Sequence, residues 1–337
     1  MYYNDYFIYQ LLKFNSKIMI NTELFDSSII ALKDYLGLKK DETLLIISDE
    51  TKREIGQTLL AAGKQLCKEA FLVEMKQREI NGEEPPIQIS ELMKMVDVVV
   101  CPTAKSLTHT DARRNASKAG VRVATMPGIT IETMVRCLSA DANNVVELSL
   151  KVKALLKNVS EIRVVTEKGT DIVMPMKGRN VIESTGVLVN KGDSGNLPSG
   201  EVYLAPWEGK TNGKVVIDGS LAGIGMLSEP ITVEVKDGFA ESIVGGPEAQ
   251  KFIAAIDSVG RDARAVAEFG IGTNYKAQLC GMILEDEKVY GTIHVAFGNN
   301  VSMGGNINVK SHIDGLVIDP DVYADSELIM KKGKLVK

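Results

Sequence analysis

The chain has 337 residues, a net charge of −5 and an isoelectric point near 5.5. Apolar residues make up 45% and charged residues 25%, which is typical of a globular protein and excludes the fibrous, disordered and membrane-spanning classes. The acidic balance argues against a nucleic-acid-binding surface, which needs clustered positive charge. The chain is longer than the ~250–300 residues at which a single hydrophobic core stops growing, so we predict two domains.

Cysteine usage and the first residues bear on where the protein works. The four cysteines are scattered and form no CxxC pair: Cys67, Cys101, Cys137 and Cys280. Such spacing is typical of reduced thiols, which predicts a cytoplasmic protein. Residues 1–18 lack the basic start and the small-residue cleavage site of a signal peptide, so we predict an N-terminal extension there. We expect a homodimer that acts on a peptide or a small molecule and binds neither nucleic acid nor a membrane.

The first half of the chain alternates strand-like and helix-like segments. Thr43–Ser48 is a short apolar run, and the residues after it carry apolar side chains at helical spacing. The alternation continues through the apolar runs Asp97–Cys101 and Val121–Ala124. It predicts a parallel sheet covered by helices, so we assign residues 19–157 to a Rossmann-like α/β domain. No GxGxxG follows the first strand, and the chain has no GxxxxGK followed by Ser or Thr, so the usual phosphate-binding loops are excluded.

The second half has a different pattern. Short strand-like runs follow one another between turns rich in Gly, Asp and Asn, such as Asn212-Gly213. One predicted helix, Pro247–Val259, interrupts these runs, and a hairpin is predicted around Lys332-Gly333. We therefore predict a β-rich α+β domain over residues 158–337.

Histidines are scarce, and two of the three lie close together in this half. His294 falls in the alternating apolar run GTIHVAFG, and His312 is two residues before Asp314. On an extended segment that spacing places both side chains on one face. Imidazole nitrogen and carboxylate oxygen together bind Zn²⁺, Co²⁺, Mn²⁺ or Fe²⁺. The alternative is an ordinary His–Asp hydrogen bond and, for His294, a histidine of the core.

Two glutamates add to this pattern. Glu201 follows a Pro-Ser-Gly turn and begins a strand-like run, and Glu268 lies in the apolar, glycine-rich run AEFGIGTN. A carboxylate in apolar surroundings is unfavourable unless it is paired or coordinates a metal. The alternatives are an exposed charge for Glu201 and, for Glu268, an ion pair with Arg261 or Arg264. Together with the histidines and Asp314, these glutamates predict a divalent-metal site and hence a metal-binding second domain.

In four segments the sequence resembles the aminopeptidase T and aminopeptidase S family of metallopeptidases, in its short, leucyl aminopeptidase-like form. The matching segments are NLPSGEVYLAP (196–206), AEFGIGTN (267–274), EDEKVYGTIHVAFGNN (285–300) and SHIDG (311–315). The resemblance covers the chain from about residue 20 to its end. It implies a two-metal site in which Glu268 bridges the ions, with the ligands Glu201, Glu268, His294, His312 and Asp314 and, as a further candidate, Glu287.

The resemblance implies a metal-dependent aminopeptidase acting on peptides. Two divalent ions, Zn, Co, Mn or Mg, would activate a water molecule for attack on the N-terminal peptide bond. Glu201 and Glu268 are then the catalytic carboxylates as well as ligands, and whichever binds metal less tightly acts as general base. The longer peptidases of the family carry a Tyr seven residues after the ligand His, where this chain has Val301. A catalytic group of the peptidases is therefore missing.

Two other functions fit the same residues. A related group that shares the fold, the iron-dependent 2,5-dihydroxypyridine dioxygenases, holds Fe(II) with two histidines and one carboxylate, which His294, His312 and Asp314 resemble. Retention of both glutamates favours the two-metal hydrolase, because an iron site needs only one carboxylate. A catalytically silent metal-binding homologue is the third interpretation, favoured by Val301 and opposed by the intact set of ligands.

Residues 108–114, THTDARR, form the part of the first half that we expect to face the metal site. They carry His109 and Asp111 near the end of a strand, where open α/β sheets present ligand-contacting loops. Arg113 and Arg114 are the candidate substrate-binding residues, since a guanidinium pairs well with a carboxylate. The alternative is the solvated start of a helix, with Asp111 in an ordinary capping position.

Overall fold

A computed structural model describes residues 21–336 of the chain, so the extension predicted for residues 1–18 lies outside the described residues. The α-helices of the described part are α1 (Thr22–Ile30), α2 (Arg53–Leu66), α3 (Ile87–Met93), α4 (Asp111–Lys118), α5 (Ile131–Leu138), α6 (Ala142–Leu156), α7 (Pro247–Asp257) and α8 (Ile283–Asp286). A π-helical turn, Ala31–Tyr35, continues α1. None of the helices between residues 21 and 336 has the length and apolar character that crossing a bilayer requires.

The first half folds into a parallel sheet, as the alternation predicts. Its strands are β1 (Thr43–Asp49), β2 (Glu69–Met75), β3 (Val98–Thr103) and β4 (Arg122–Pro127). They lie side by side in the order β2-β1-β3-β4, and each neighbouring pair is parallel. When helices cover both faces of a sheet, its strands are buried along their whole length. This explains why β1 and β3 are nearly unbroken apolar runs.

The second half consists mainly of short strands. They are β5 (Glu161–Val165), β6 (Asp171–Pro175), β7 (Ile182–Ser184), β8 (Ser194–Asn196), β9 (Glu201–Leu204), β10 (Asn212–Ile217), β11 (Ser220–Leu221), β12 (Gly225–Met226), β13 (Ile231–Lys236), β14 (Phe239–Val244), β15 (Val266–Gly272), β16 (Thr292–Gly298), β17 (His312–Ile318), β18 (Asp321–Ala324), β19 (Glu327–Lys331) and β20 (Lys334–Leu335). The predicted hairpin is confirmed, because β19 and β20 pair antiparallel around Lys332 and Gly333, which have φ values of 46° and 73°. The predicted helix is confirmed as α7.

Two antiparallel sheets enclose the core of the second half. One has the order β14-β13-β10-β6-β5-β18-β19-β20, and the other the order β12-β11-β17-β16-β15-β9-β7. Alternate side chains of the second sheet, such as Phe269 and Val295, are buried in a cluster with side chains of the first. Phe252 of α7 joins this cluster, with its ring centre 5.6 Å from that of Phe297. The remaining side chains of β15 and β16 point to the opposite face, where the candidate site lies.

One strand of the second half joins the sheet of the first. β8 pairs in parallel with β4, although β7 before it belongs to an antiparallel sheet. Its residues, Ser-Gly-Asn, are neither apolar nor alternating, so the pattern does not predict this strand. The predicted fold class is confirmed, with a parallel-sheet α/β part followed by a β-rich α+β part, and the domain boundary at residue 157 stays a prediction.

Buried polar contacts join the two parts. Arg136 of α5 donates two hydrogen bonds, of 2.6 and 2.7 Å, to the fully buried carboxylate of Glu285. The side-chain amide of Asn274 donates to the backbone carbonyls of Cys137 and Ser199, at 3.3 and 2.9 Å. These contacts fix the helices of the first part against the strands that carry the candidate site.

Candidate metal centre

Four neighbouring antiparallel strands carry the predicted ligands on one face of their sheet. In chain order they are Glu201 at the start of β9, Glu268 on β15, His294 on β16, and His312 and Asp314 on β17. Residues that pair directly across an antiparallel sheet point to the same side. Ala296 pairs with both Glu268 and Asp314, so the two carboxylates flank a small side chain. The strand pairing alone therefore brings distant parts of the sequence together.

Small residues on this face make room for the larger ones. Gly270 pairs with His294, and a β-carbon at Gly270 would lie 2.0 Å from His294 Nε2. A side chain there would displace the imidazole, so the position requires glycine. Gly298 likewise lies opposite His312. Together with Ala296, these residues form a floor over which the imidazoles and carboxylates converge.

Glu268, His312 and Asp314 form what we call the open cluster, with ligand atoms within 4.8 Å of one another. His312 Nε2 lies 3.2 Å from Glu268 Oε2 and 3.2 Å from Asp314 Oδ1. On the other side of the ring, Nδ1 donates to the backbone carbonyl of Asn299 at 2.7 Å, which leaves Nε2 available as a ligand. The His312 side chain is 31% exposed, so solvent and small molecules reach this cluster.

Glu201, Glu268 and His294 form what we call the buried cluster, again with ligand atoms within 4.8 Å of one another. His294 Nε2 lies 3.2 Å from Glu268 Oε1 and 3.6 Å from Glu201 Oε2. Its Nδ1 is buried without a hydrogen-bond partner among residues 21–336. Glu268 belongs to both clusters and lies between the two imidazoles.

The charges in the two clusters depend on one another. Burial favours a neutral Glu268, but hydrogen bonds from His294 and His312 outweigh it and lower the pKa of Glu268 to about 2. Burial also opposes a charge on His294, yet Glu268 raises the pKa of His294 to about 9. Against the same effect of burial, Asp314 and Glu268 raise the pKa of His312 well above its usual value. The site therefore favours positive charge, which a divalent ion supplies in place of the imidazole protons.

Lys288 is a part of the site that the sequence does not predict. Its fully buried ammonium donates to Glu201 Oε1 at 2.8 Å and to Glu287. Burial opposes the charge of Lys288, but the two carboxylates raise its pKa above the usual value, so the ammonium stays charged. Glu287, the further candidate ligand, lies beside Lys288 and belongs to neither cluster. Burial raises the pKa of Glu287 to about 8 against the charge of Lys288.

The ion pair considered for Glu268 is not present in the described residues. Arg264 pairs with Asp257 at 2.7 Å, and Arg261 lies over the ring of Phe239. The partners of Glu268 are the two histidines, so its carboxylate is directed into the site rather than into a structural salt bridge.

Within the 108–114 segment, His109 is the residue whose charge state depends on the candidate site. Burial lowers the pKa of His109, and the positive charges of Arg113 and His312 act in the same direction. His109 is thus neutral at pH 7, since the usual pKa of histidine is about 6.5. His312 of the open cluster is thus one of the charged groups that act on this imidazole.

The two arginines of that segment bond to protein groups. Arg113 donates to the backbone carbonyl of Thr108 at 2.7 Å and to the hydroxyl of Ser194 at 3.1 Å. Arg114 pairs with Asp111 at 2.9 Å on the surface of α4. Arg113 therefore holds the backbone next to His109, and substrate binding by either arginine stays a prediction.

Comparison with known proteins decides the family. The model of the NicX family, 2,5-dihydroxypyridine 5,6-dioxygenase, matches residues 32–337. The chain belongs to this dioxygenase family. The 2,5-dihydroxypyridine 5,6-dioxygenase of Pseudomonas putida is 25% identical over 260 residues, which is 72% of each chain.

Solved structures agree on the fold. The structure of 2,5-dihydroxypyridine dioxygenase from Pseudomonas putida matches with a TM-score of 0.81 and 19% identity, over 93% of this chain and 96% of that one. AmpT from Thermus thermophilus matches with a TM-score of 0.69 and 16% identity, over 94% of this chain and all 100% of that one. The fold expected from the aminopeptidase resemblance is therefore confirmed, whereas the family is that of the dioxygenases.

The comparisons correct the predicted activity. The prediction of a metalloaminopeptidase, a hydrolase and protease, is wrong, because the matching family and the relative from P. putida are dioxygenases. The supported function is the dioxygenase that we considered as the alternative. The two clusters and the family together imply a metal cofactor.

The error has a physical cause. The retained glutamates favour a two-metal hydrolase only if each carboxylate needs a metal ion as its partner. Glu201 has another partner, the ammonium of Lys288, which accounts for its presence without a second ion. Imidazole and carboxylate ligands serve several kinds of chemistry, so the ligand set alone does not fix the reaction.

Proposed function

We propose that the protein is an Fe(II)-dependent dioxygenase that opens the ring of a dihydroxylated pyridine. The family match over residues 32–337 carries the proposal, and the open cluster gives it a place in the fold. The relative from P. putida is named a 2,5-dihydroxypyridine 5,6-dioxygenase, and we extend its substrate class to this chain. Both atoms of O₂ would be added across ring carbons 5 and 6 while the bond between them breaks. The ring supplies the electrons that O₂ takes up, so no other reductant is needed.

Glu268, His312 and Asp314 would hold one iron, with His294 on the other side of Glu268. The structure groups His312 and Asp314 with Glu268, rather than with His294 as the sequence suggests. When bound, the iron supplies open coordination positions for O₂ and a substrate oxygen, and redox chemistry that side chains lack. Glu268 and Asp314 balance the charge of the ion, and the Asn299 carbonyl keeps His312 Nε2 facing the cluster.

His109 is the residue that we propose would move a substrate proton. It lies on the loop before α4 in the parallel-sheet part, it is accessible to solvent, and its pKa is lowered. A neutral imidazole accepts the proton of a ring hydroxyl, which makes the ring richer in electrons for its reaction with O₂. This role requires only the neutral form of His109, which predominates at pH 7.

Oxygen uptake tests the proposal. We expect the iron-loaded protein to consume O₂ when 2,5-dihydroxypyridine is added and to remove the ring absorbance of the substrate at the same rate. The metal-free and zinc-loaded proteins are the controls, and neither should consume O₂. Hydrolysis of aminoacyl p-nitroanilides with Co²⁺, Zn²⁺ or Mn²⁺, together with no O₂ uptake on the dihydroxypyridine, would contradict the proposal.

A further inference from the structure

A half-buried carboxylate outside both clusters ties two loops together. Glu208 follows β9, and its Oε1 accepts hydrogen bonds from the Asn300 side chain and from the backbone N–H of Asn306, both at 2.9 Å. Its other oxygen, Oε2, pairs with the guanidinium of Arg179. Hydrogen bonds from Asn306 and Asn300 keep the pKa of Glu208 low in spite of burial, so the group is charged. Glu208 thus anchors the loop of residues 299–310, which leads from β16 to β17.

Asn300 organises this loop from within. Its side chain is fully buried, and its Oδ1 accepts a hydrogen bond from the backbone N–H of Ile307 at 2.8 Å while its amide nitrogen donates to Glu208. A β-carbon at Gly305 would lie 2.1 Å from Asn300 Cγ, so the chain packs closely around this amide. The conformation of the loop therefore depends on Asn300 and, through it, on Glu208.

The residue before Asn300 contacts the metal centre. The backbone carbonyl of Asn299 accepts the hydrogen bond from His312 Nδ1 at 2.7 Å. Because a carbonyl only accepts, this contact selects the tautomer with a free Nε2 and fixes the orientation of the ring. The path from Glu208 to His312 thus consists of two side-chain hydrogen bonds and one peptide unit.

We infer that Glu208 is a positioning residue of the metal centre. Glu208 holds the side chain of Asn300, and Asn300 fixes the position of the neighbouring Asn299 carbonyl. That carbonyl orients the His312 ring toward the two carboxylates of the open cluster. The inference rests on the metal centre proposed above. Outer contacts of metal-binding histidines typically change metal affinity by ~10–100-fold when they are removed, and Glu208 acts one step farther out. Loss of its carboxylate is therefore expected to weaken metal binding by about 10-fold.

Two variants separate the contacts of Glu208. Glu208→Ala removes both oxygens, whereas Glu208→Gln keeps an Oε1 acceptor for Asn300 and Asn306 and loses the ion pair with Arg179. Glu42→Ala is the matched control, because Glu42 also pairs with a buried arginine, Arg122, in the parallel-sheet part. The control removes a comparable ion pair far from the loop and should leave metal affinity unchanged.

The experiment measures Co²⁺ affinity by competition with a chelator, and amide hydrogen exchange of residues 299–310 in the metal-free protein. We expect Glu208→Ala to bind Co²⁺ about 10-fold more weakly and to exchange faster in the loop, with Glu208→Gln closer to the unaltered protein. Faster exchange with unchanged Co²⁺ affinity would overturn the inference, since Glu208 would then stabilise only the loop. Equal weakening in Glu42→Ala would overturn it too. If the unaltered protein does not bind Co²⁺, the proposed metal centre itself fails.

Discussion

Glu268→Gln is expected to abolish ring cleavage and to lower metal affinity by at least ~100-fold, because the loss of a ligand exceeds that of an outer contact. Glu268 is the residue shared by the open and buried clusters, and its carboxylate lies 3.2 Å from the nearest nitrogen of both His294 and His312. A neutral amide of the same shape cannot balance the charge of a divalent ion. The measurement is metal content after reconstitution and dialysis, together with O₂ uptake on 2,5-dihydroxypyridine.

The control for this variant is Glu183→Gln. Glu183 lies on β7 of the same sheet, pairs with Lys153 and lies opposite Val202, whose side chain faces the core rather than the clusters. It should retain the metal content and activity of the unaltered protein. A Glu268→Gln protein that keeps full metal content would show that Glu268 serves only as a partner for the histidines.

Lys288→Met is expected to have the largest effect on stability, lowering the free energy of unfolding by about 3–5 kcal/mol. The methionine side chain is similar in length but leaves the Glu201 carboxylate buried without its cation, whereas Glu287, whose pKa burial raises to about 8, stays protonated. Removal of one partner from a buried ion pair typically costs that much, because the remaining charge has lost its compensation. Urea denaturation of the metal-free proteins measures the difference.

A second substitution tests the reason for that loss. In Lys288→Met combined with Glu201→Gln, the uncompensated carboxylate is gone, so part of the stability should return. Removal of an exposed ion pair lowers the free energy of unfolding by less than about 1 kcal/mol. A loss that small in Lys288→Met would show that Lys288 does not compensate buried charge.

The fold was predictable where a single pattern dominates the local sequence. The apolar run that becomes β1 and the glycine turn of the final hairpin each correspond to one local structure, and both are found where expected. β8 was not predictable, because Ser-Gly-Asn carries no periodicity and joins the parallel sheet only through pairing with β4. Tertiary pairing, rather than the propensity of its residues, creates that strand.

The titratable residues of the candidate site were predictable from the sequence, whereas the groups that position them were not. Scarcity and two-residue spacing led to His294, His312 and Asp314, and the strand pairing brings them together with the glutamates. Lys288 looks in the sequence like an ordinary surface lysine, yet it is fully buried. The Asn299 carbonyl has no sequence signal at all, since every residue has a backbone carbonyl.

The reaction was the least predictable property. A set of imidazole and carboxylate ligands fits hydrolysis and oxygen chemistry equally, so the ligands alone do not separate the two reactions. What would distinguish them is the surroundings that meet the substrate, among which we propose His109; the influence of His312 on its pKa arises only in the folded protein. Function here depends on the whole site rather than on its metal-binding residues.

The fate of oxygen tests the central claim most directly. Iron-loaded protein would be mixed with 2,5-dihydroxypyridine under isotopically labelled O₂, and the ring-opened product analysed by mass spectrometry. Our account predicts that both labelled atoms enter the product and that one molecule of O₂ is consumed for each ring opened. Ring opening with no labelled oxygen in the product would identify water as the source of oxygen and a hydrolytic reaction, and would contradict the assignment as a dioxygenase.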